Sequence, residues 1–368
     1  MISRAHKIKL KPNRAQTILL AKTAGTARYA YNWGLAKWNE LYKAGEKCDA
    51  YMLSRLWTQT RPEWSKEVFS GAGFKAIMNL GGAYRAFFQG LRKHPTFHKK
   101  GANDSFYISN DKARLYGSKI RLPNIGRVRM TEKLRYEESK ILSYNVRREA
   151  DGWYVTISVE IAEERRTDSE SFCGVDVGCT QLAVASDGTV CQKPAKLKDL
   201  ERQLKRRQRL LARKQKGSHN RQKARAKVAR TYQRIRNIKG DVIHKFTAYI
   251  AKNHGYVCIE KLDVKGMKEG ENKYVRKGVQ SSAMAEILRQ LKYKCNNFIE
   301  VDKYFASSKT CSNCGALKAD LDLSDRSYLC PSCGLAIDRD LNASINLRNE
   351  GLRIYTLGHR GSACGELR

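Results

Sequence analysis

FCGVDVG, residues 172–178, decides the fold of the second half of the chain. A short apolar run around one acid predicts a buried strand. Leu182 to Ala185 predicts a second strand, and Ser186 to Thr189 supplies the turn that follows it. Tyr256 to Glu260 predicts a further strand, again ending on an acid. Because a charged side chain at such a place is costly unless it is paired or binds a metal ion, these acids are candidate site residues.

Three acids are candidates for a catalytic cluster: Asp176, Glu260 and Asp340. Asp340 precedes a predicted helix that continues to about Leu352. Two Mg²⁺ ions roughly 3.5–4 Å apart need converging carboxylates, and they clamp the attacking and leaving oxygens of a phosphodiester. Taken singly, each acid is also consistent with a helix cap or a salt-bridge partner. The residues alone therefore leave both interpretations open.

Four cysteines have the spacing of a metal site. Cys311-x-x-Cys314 and Cys330-x-x-Cys333 are separated by fifteen residues. Four thiolates at this spacing can close a tetrahedral Zn²⁺ site, and four protein ligands make that zinc structural. The alternatives are a redox CxxC pair or disulfides. The chain has 11 cysteines, and those outside the two pairs suit a reducing cytosol as small buried hydrophobes.

The charge balance predicts a polyanionic partner. Lys plus Arg number 71 against 36 Asp plus Glu, a net charge of +35. Since folding does not need such an excess, nucleic acid is the expected partner. No run of about 18 apolar residues predicts a membrane span, and the N-terminus lacks the pattern of a secretory signal. We therefore expect a cytoplasmic protein.

Residues 197–239 are the most basic region, with seventeen Lys or Arg against two acids. Apolar residues at helical spacing, interrupted at Gly217 to Asn220, predict two basic helices with one apolar stripe. A solvated face usually mixes charge signs, so single-sign density favours phosphate contact. The residues predicted to contact phosphates are Arg206, Arg207, Arg209, Arg213, Lys214 and Lys216.

The first half of the chain predicts a β-rich module with a helical insertion. His6 to Lys11 alternates as a strand that Pro12 ends. A helix follows, with Tyr31, Leu35, Trp38 and Tyr42 on one face. This stripe is either core or a platform for stacking bases. A second helix is expected over Phe74 to Leu91, and strands are expected around residues 105–130 and 153–161. In the second half of the chain, a further helix is expected that Ser282 caps and that ends near Asn297.

The chain resembles the TnpB family, the accessory nucleases of bacterial insertion sequences and relatives of type V CRISPR effectors. The resemblance is specific from about residue 172 onward and looser before it. The segments that carry it are Gly174 to Gly178, Ile259 to Met267, Ser307 to Gly315, Asp338 to Ser344 and the tail Ser362 to Glu366.

The resemblance implies an α/β multidomain protein. Residues 1–165 would form an N-terminal β-barrel, an oligonucleotide-binding-like wedge, with a helical recognition module over about 13–95. Residues 166–309 and 335–368 would form an RNase H-like RuvC nuclease domain. A zinc ribbon over 310–334 would be inserted between its two parts.

The same resemblance implies an RNA-guided DNA endonuclease with catalytic acids at Asp176, Glu260 and Asp340, and with Asp338 as a weaker substitute for Asp340. Two catalytic Mg²⁺ ions and one structural Zn²⁺ are the implied cofactors. A guide RNA from the mobile element and double-stranded target DNA are the implied partners, with a short adjacent motif read by the protein. The alternatives are a non-cleaving guided repressor, which the three intact acids disfavour, and an unguided transposase or resolvase.

Overall fold

The computed structural model describes residues 1–162, 167–178, 181–262, 283–322 and 325–363, with side chains up to residue 357. The chain divides into two compact units, Met1–Glu163 and Glu164–Arg368. Among the helices of these described ranges, none is long and apolar enough to cross a membrane.

The N-terminal unit is built on a seven-stranded sheet. Its strands are β1 (Ile2–Lys11), β2 (Ser105–Ser109), β3 (Arg114–Tyr116), β4 (Lys119–Leu122), β5 (Gly126–Met130), β6 (Lys140–Glu149) and β7 (Gly152–Ile161). They are ordered β2-β6-β7-β1-β5-β4-β3, with antiparallel neighbours. Val155, Ile157 and Val159 are fully buried, as the alternation of β7 predicts. Within the described pairings β2 and β3 are the edges, so the closed barrel stays a prediction.

Three helices complete this unit: α1 (Arg14–Lys43), α2 (Ala50–Thr60) and α3 (Gly71–Phe88). Helix α1 begins after Pro12 because Asn13 caps it, accepting a hydrogen bond from the Gln16 backbone N–H. Its predicted aromatic stripe is largely core. Tyr31 and Leu35 are buried, and Trp38 stacks on Tyr84 with ring centroids 4.2 Å apart. Tyr42, at the end of the stripe, is 72% exposed.

The C-terminal unit contains a five-stranded mixed sheet. Its strands are β8 (Phe172–Asp176), β9 (Ala183–Ala185), β10 (Val190–Cys191), β11 (Tyr256–Glu260) and β12 (Asn297–Val301). They are ordered β10-β9-β8-β11-β12. Strands β8, β11 and β12 are parallel, whereas β9 is antiparallel to both of its neighbours, β8 and β10. The acid-bearing strands β8 and β11 are therefore central neighbours, and their apolar residues are buried on both faces.

The described residues of the same unit also form four helices and a small hairpin. They are α4 (Ala195–Ala212), α5 (His219–Asn253), α6 (Met284–Lys294), the hairpin of β13 (Ser327–Leu329) and β14 (Ala336–Asp338), and α7 (Arg339–Ala363). The basic helices form an antiparallel pair, and α5 is longer than the sequence pattern indicated. Leu197, Leu200 and Ile235 form their shared apolar stripe.

Several predicted helix boundaries differ from the structure. Helix α3 spans Gly71–Phe88 rather than Phe74 to Leu91. Helix α6 begins after Ala283, which has a left-handed φ of 57°, and it ends at Lys294 rather than near Asn297. The expected cap Ser282 lies outside the described residues, as do residues 263–267 of the motif that follows Glu260. Helix α7 begins where expected but extends to Ala363, well past Leu352, and Ala343 and Leu347 on it are fully buried.

Helix α7 lies directly against the sheet because glycines stand at the closest points. A Cβ on Gly174 of β8 would overlap the Ser344 carbonyl oxygen and lie 2.5 Å from the Arg348 nitrogen. A Cβ on Gly351 of the helix would lie 2.6 Å from the Cβ of Cys258 on β11. At Gly174 the opposing atoms belong to the helix backbone, so no side-chain movement could relieve the overlap.

We predict that Gly174→Ala lowers the free energy of unfolding by about 3 kcal/mol or more, since overpacking against backbone forces the whole helix to shift. Gly240→Ala is the matched control, because a Cβ there meets nothing within 4 Å and alanine favours the helix by up to about 1 kcal/mol. Urea unfolding of both variants measures the difference. Equal stability of Gly174→Ala and the wild type would contradict the close approach.

Candidate active site and metal centre

Asp176 and Glu260 end two adjacent parallel strands. Val175 pairs with Ile259 in the ladder between β8 and β11, so the next residue of each strand is an acid at the same level. Adjacent strands lie about 4.8 Å apart. The carboxyl ends of parallel strands are where ligands bind in open α/β sheets.

Asp340 reaches the same end of the sheet from the first turn of α7. Gly174 faces Ser344, and Asp176, two residues further along the strand, lies on the same face of the sheet. Asp340 precedes Ser344 by four residues, one helical turn. Helix α7 therefore places Asp340 over Asp176.

Burial and the two neighbouring acids disfavour the ionised form of Asp176. Burial, Asp340 and Glu260, in that order, raise the pKa of Asp176 to about 7. Burial raises the pKa of Glu260, and burial together with the neighbouring Asp338 raises that of Asp340. With a pKa near 7, Asp176 is only partly ionised at neutral pH, and a cation between the carboxylates would favour their ionised forms.

Asp338 makes a different set of contacts. Its Oδ1 accepts hydrogen bonds from the backbone N–H groups of Asp340 and Leu341, both at 3.0 Å. These are contacts of a helix N-cap, which satisfies backbone donors that have no partner within the helix. The side chain of Asp338 is thus engaged with the start of α7.

The four cysteines form one cluster. Their Sγ atoms all lie within 4.8 Å of one another, and the pairs Cys311–Cys333 and Cys314–Cys330 are each 3.6 Å apart. Tetrahedral zinc with Zn–S bonds of about 2.3 Å requires sulfurs about 3.8 Å apart. In the described part of the chain this is the one group of three or more His, Cys, Asp or Glu side chains with donor atoms this close. The three acids are more widely spaced.

The two cysteine pairs sit on matched turns, or knuckles. The Cys311 N–H donates to Ala316 O and the Cys330 N–H to Leu335 O, both at 2.9 Å. Gly315 and Gly334 follow with φ values of 75° and 72°, a conformation that glycine adopts without strain. Hydrogen bonds, first that from the Asn313 side chain, lower the pKa of the Cys333 thiol to about 6. A thiolate donor set on two such knuckles fits a structural metal ion.

Two asparagines of α7 were not foreseen as site residues. Asn342 is fully buried and Asn346 is 5% exposed, and both side-chain amides bind the backbone that leads into the first knuckle. Their spacing of four residues puts them on one helix face. That spacing was a usable signal, because buried amides need hydrogen-bond partners.

The basic residues predicted to contact phosphates lie on α4 and the turn after it. Arg206, Arg209, Arg213, Lys214 and Lys216 are exposed. Arg207 is half-buried, and its guanidinium donates to Thr231 Oγ1 and to the Lys227 carbonyl oxygen of α5. Arg207 therefore joins the two helices to each other.

Three family models match the chain. One described as "Probable transposase" covers residues 155–271, and one described as "Cas12f1-like, TNB domain" covers 285–347. A third, described as "Helix-turn-helix domain", covers 1–47. In this structure residues 1–47 form β1 and α1, a strand and one long helix.

Similar proteins extend over nearly the whole chain. InsQ of Escherichia coli (strain K12), named as an RNA-guided DNA endonuclease, is 31% identical over 99% of this chain and 94% of its own length. A protein of Streptomyces pristinaespiralis, also named as an RNA-guided DNA endonuclease, is 28% identical over 99% of this chain and 92% of its own length. A solved Cas12f1–sgRNA–target DNA complex has a TM-score of 0.57 at 15% identity, covering 92% of this chain and 83% of that one.

These matches define an α/β protein with the fold of the compact type V effectors. The chain belongs to the TnpB family, in which InsQ is also placed. The family expected from the sequence motifs is thereby confirmed.

We predict that Cys311→Ser loses the metal and lowers the melting temperature, because ligation contributes folding energy directly in small metal modules. Cys295→Ser, at a half-buried cysteine outside the cluster, should retain the metal. Elemental analysis of the purified proteins should find one zinc per wild-type chain and none in Cys311→Ser. Freshly purified wild type without zinc would contradict the assignment.

Proposed function

We propose that the chain is an RNA-guided DNA endonuclease of a mobile element that cuts target DNA next to a short adjacent motif. The observation that carries this proposal is the meeting of three acids from β8, β11 and α7 at one end of the sheet, where burial and then the charges of Asp340 and Glu260 raise the pKa of Asp176. The names of full-length relatives support it.

Asp176, Glu260 and Asp340 are the proposed catalytic residues. Asp176 lies between the other two and would hold both of two Mg²⁺ ions, with Glu260 completing one site and Asp340 the other. When bound, such ions stabilise the charge that develops on the attacking and leaving oxygens of a phosphodiester.

Asp340 is a better third acid than Asp338. The Asp338 carboxylate already accepts two backbone hydrogen bonds, whereas Asp340 is close enough to Asp176 to raise its pKa. Asp340 also stands in the first turn of α7, where the helix dipole stabilises a carboxylate.

The proposed domain plan has an RNase H-like RuvC domain over 166–309 and 335–368, with the zinc ribbon of residues 310–334 inserted between its two parts. The mixed sheet with an acid at the end of its central strand supports this plan. For residues 1–165 we propose the β-barrel wedge with a helical recognition module. The antiparallel sheet and the helices α1 to α3 support that part.

The proposed partners are a guide RNA encoded by the element and a double-stranded DNA target. The net charge of +35 supports a nucleic-acid partner, and the exposed basic residues of α4 suit the phosphate backbone of a heteroduplex. A non-cleaving guided repressor would use the same charges without needing the acids. The retention of all three acids in one cluster favours cleavage.

We predict that Asp176→Ala lowers the cleavage rate at least about 100-fold and leaves guided binding nearly unchanged, because it removes one carboxylate and no cationic surface. Asp241→Ala, at an exposed acid of α5 that pairs with Lys245, is the control and should cleave normally. The assay uses the reconstituted protein–RNA complex, a matched target and Mg²⁺. Ca²⁺ should support binding but little cleavage, since its coordination is looser.

Full cleavage by Asp176→Ala would remove that residue from the mechanism. Tight guided binding by a wild type that never cleaves would favour the repressor instead.

We predict that neutralising exposed residues of α4 weakens binding to any sequence. Each of Arg206→Gln, Arg209→Gln and Arg213→Gln should reduce the log–log salt slope by roughly 0.7 to 0.9. Arg207→Gln is the matched comparison on the same helix. It should leave the slope nearly unchanged and instead lower the melting temperature, because its guanidinium joins α4 to α5. Unchanged slopes in all variants would make the helix a solvated face.

A further inference from the structure

Asn342 holds the first cysteine knuckle to the start of α7 from both sides of Cys311. Its Nδ2 donates to the Thr310 carbonyl oxygen at 2.8 Å, and its Oδ1 accepts from the Ser312 backbone N–H at 3.0 Å. The side chain is fully buried. The Asn342 amide thus pairs with one backbone C=O and one backbone N–H of the knuckle, as a residue of a neighbouring strand would.

Asn346 extends this attachment by one helical turn. Its Nδ2 donates to the carbonyl oxygens of Ser307 and Thr310, at 2.8 and 2.6 Å. The Thr310 carbonyl therefore has two amide partners, whereas the Ser312 N–H donates to Asn342 Oδ1. The bond between Ser312 and Asn342 is the part of the attachment that a single change can remove.

The start of α7 is held between the knuckle and the sheet. Asn342 follows Asp340 by two residues, about 200° around the helix, so the two side chains leave on opposite faces. Asn342 faces the knuckle, while Ser344 on the other side meets Gly174 of β8. The rotation of the first turn, and with it the direction of the Asp340 carboxylate, is fixed by both contacts.

We propose that Asn342 is a positioning residue through which the zinc-bound knuckle orients Asp340 toward Asp176. This rests on the proposed function, in which Asp340 is a metal ligand. The zinc centre then acts on the active site through one amide group. Removing that amide bond weakens divalent-ion binding at the acids while the zinc remains in place. Residues that hold metal ligands in position typically change affinity by about 10- to 100-fold when they are lost.

The second knuckle supplies the test. It has the same hydrogen bonds and glycine conformation as the first, but Pro331 stands where the first knuckle has Ser312. A proline at that place is therefore compatible with the turn. Ser312→Pro deletes the N–H that Asn342 accepts and leaves the four cysteines intact. Ser312→Ala, which keeps the N–H, is the matched control.

The primary measurement is Mn²⁺ binding to the zinc-loaded protein by electron paramagnetic resonance, with Asp176→Ala marking the signal that belongs to the acids. Ser312→Pro and Asn342→Ala should each bind Mn²⁺ about 10-fold more weakly with one zinc retained. The double variant should be no weaker than Asn342→Ala, because Asn342→Ala already removes the hydrogen bond that Ser312→Pro deletes. Ser312→Ala should match the wild type.

Unchanged Mn²⁺ affinity in either zinc-loaded variant overturns the inference. So does a wild type that binds no Mn²⁺ at Asp176. The Mg²⁺ concentration for half-maximal cleavage should rise in parallel with the loss of Mn²⁺ affinity. If Mn²⁺ affinity falls as expected while the wild type cleaves no guided target, the proposed function fails and the positioning role stands.

Discussion

The contact between Gly174 and the backbone of α7 is the constraint on which the candidate site depends. Because no side chain separates strand from helix there, Ser344 lies directly over β8, and Asp340 is placed one turn earlier, over Asp176. The parallel register of β8 and β11 then brings Glu260 to the same level. Three acids that are distant in sequence are therefore brought together by two features. One is the absence of a side chain at Gly174, and the other is the register of β8 and β11.

Much of the site follows from local pattern. Asp176 and Glu260 are visible in the sequence because each ends an apolar run, and the cysteine cluster is visible because two CxxC pairs have ligand spacing. The choice between Asp338 and Asp340 is not a local property, since it depends on which residue caps α7. Nor does an isolated strand show which helix covers it. The roles of Gly174 and of the Asn342 and Asn346 amides can be recognised only when the element that each one contacts is also known.

The basic helices show the same division between composition and contact. Single-sign charge identifies α4 as a surface that favours phosphates, but it treats Arg206 and Arg207 alike. Packing distinguishes the two residues, because the Arg207 guanidinium donates a hydrogen bond to Thr231 of α5. Likewise the aromatic stripe of α1 keeps one helical spacing in the sequence, but its residues differ in burial: Tyr31 is buried and Tyr42 is exposed. Helical spacing assigns a face, whereas burial depends on how far the neighbouring helix extends.

The position of α7 late in the chain has a consequence for synthesis and for decay of the gene. The ribosome makes both basic helices and two of the three acids before it reaches residue 339. A nascent chain, or a copy shortened by an early stop codon, would therefore carry the surface proposed to bind nucleic acid without a complete acidic cluster. The order of elements along the chain makes cutting the last property to be acquired and the first to be lost by truncation.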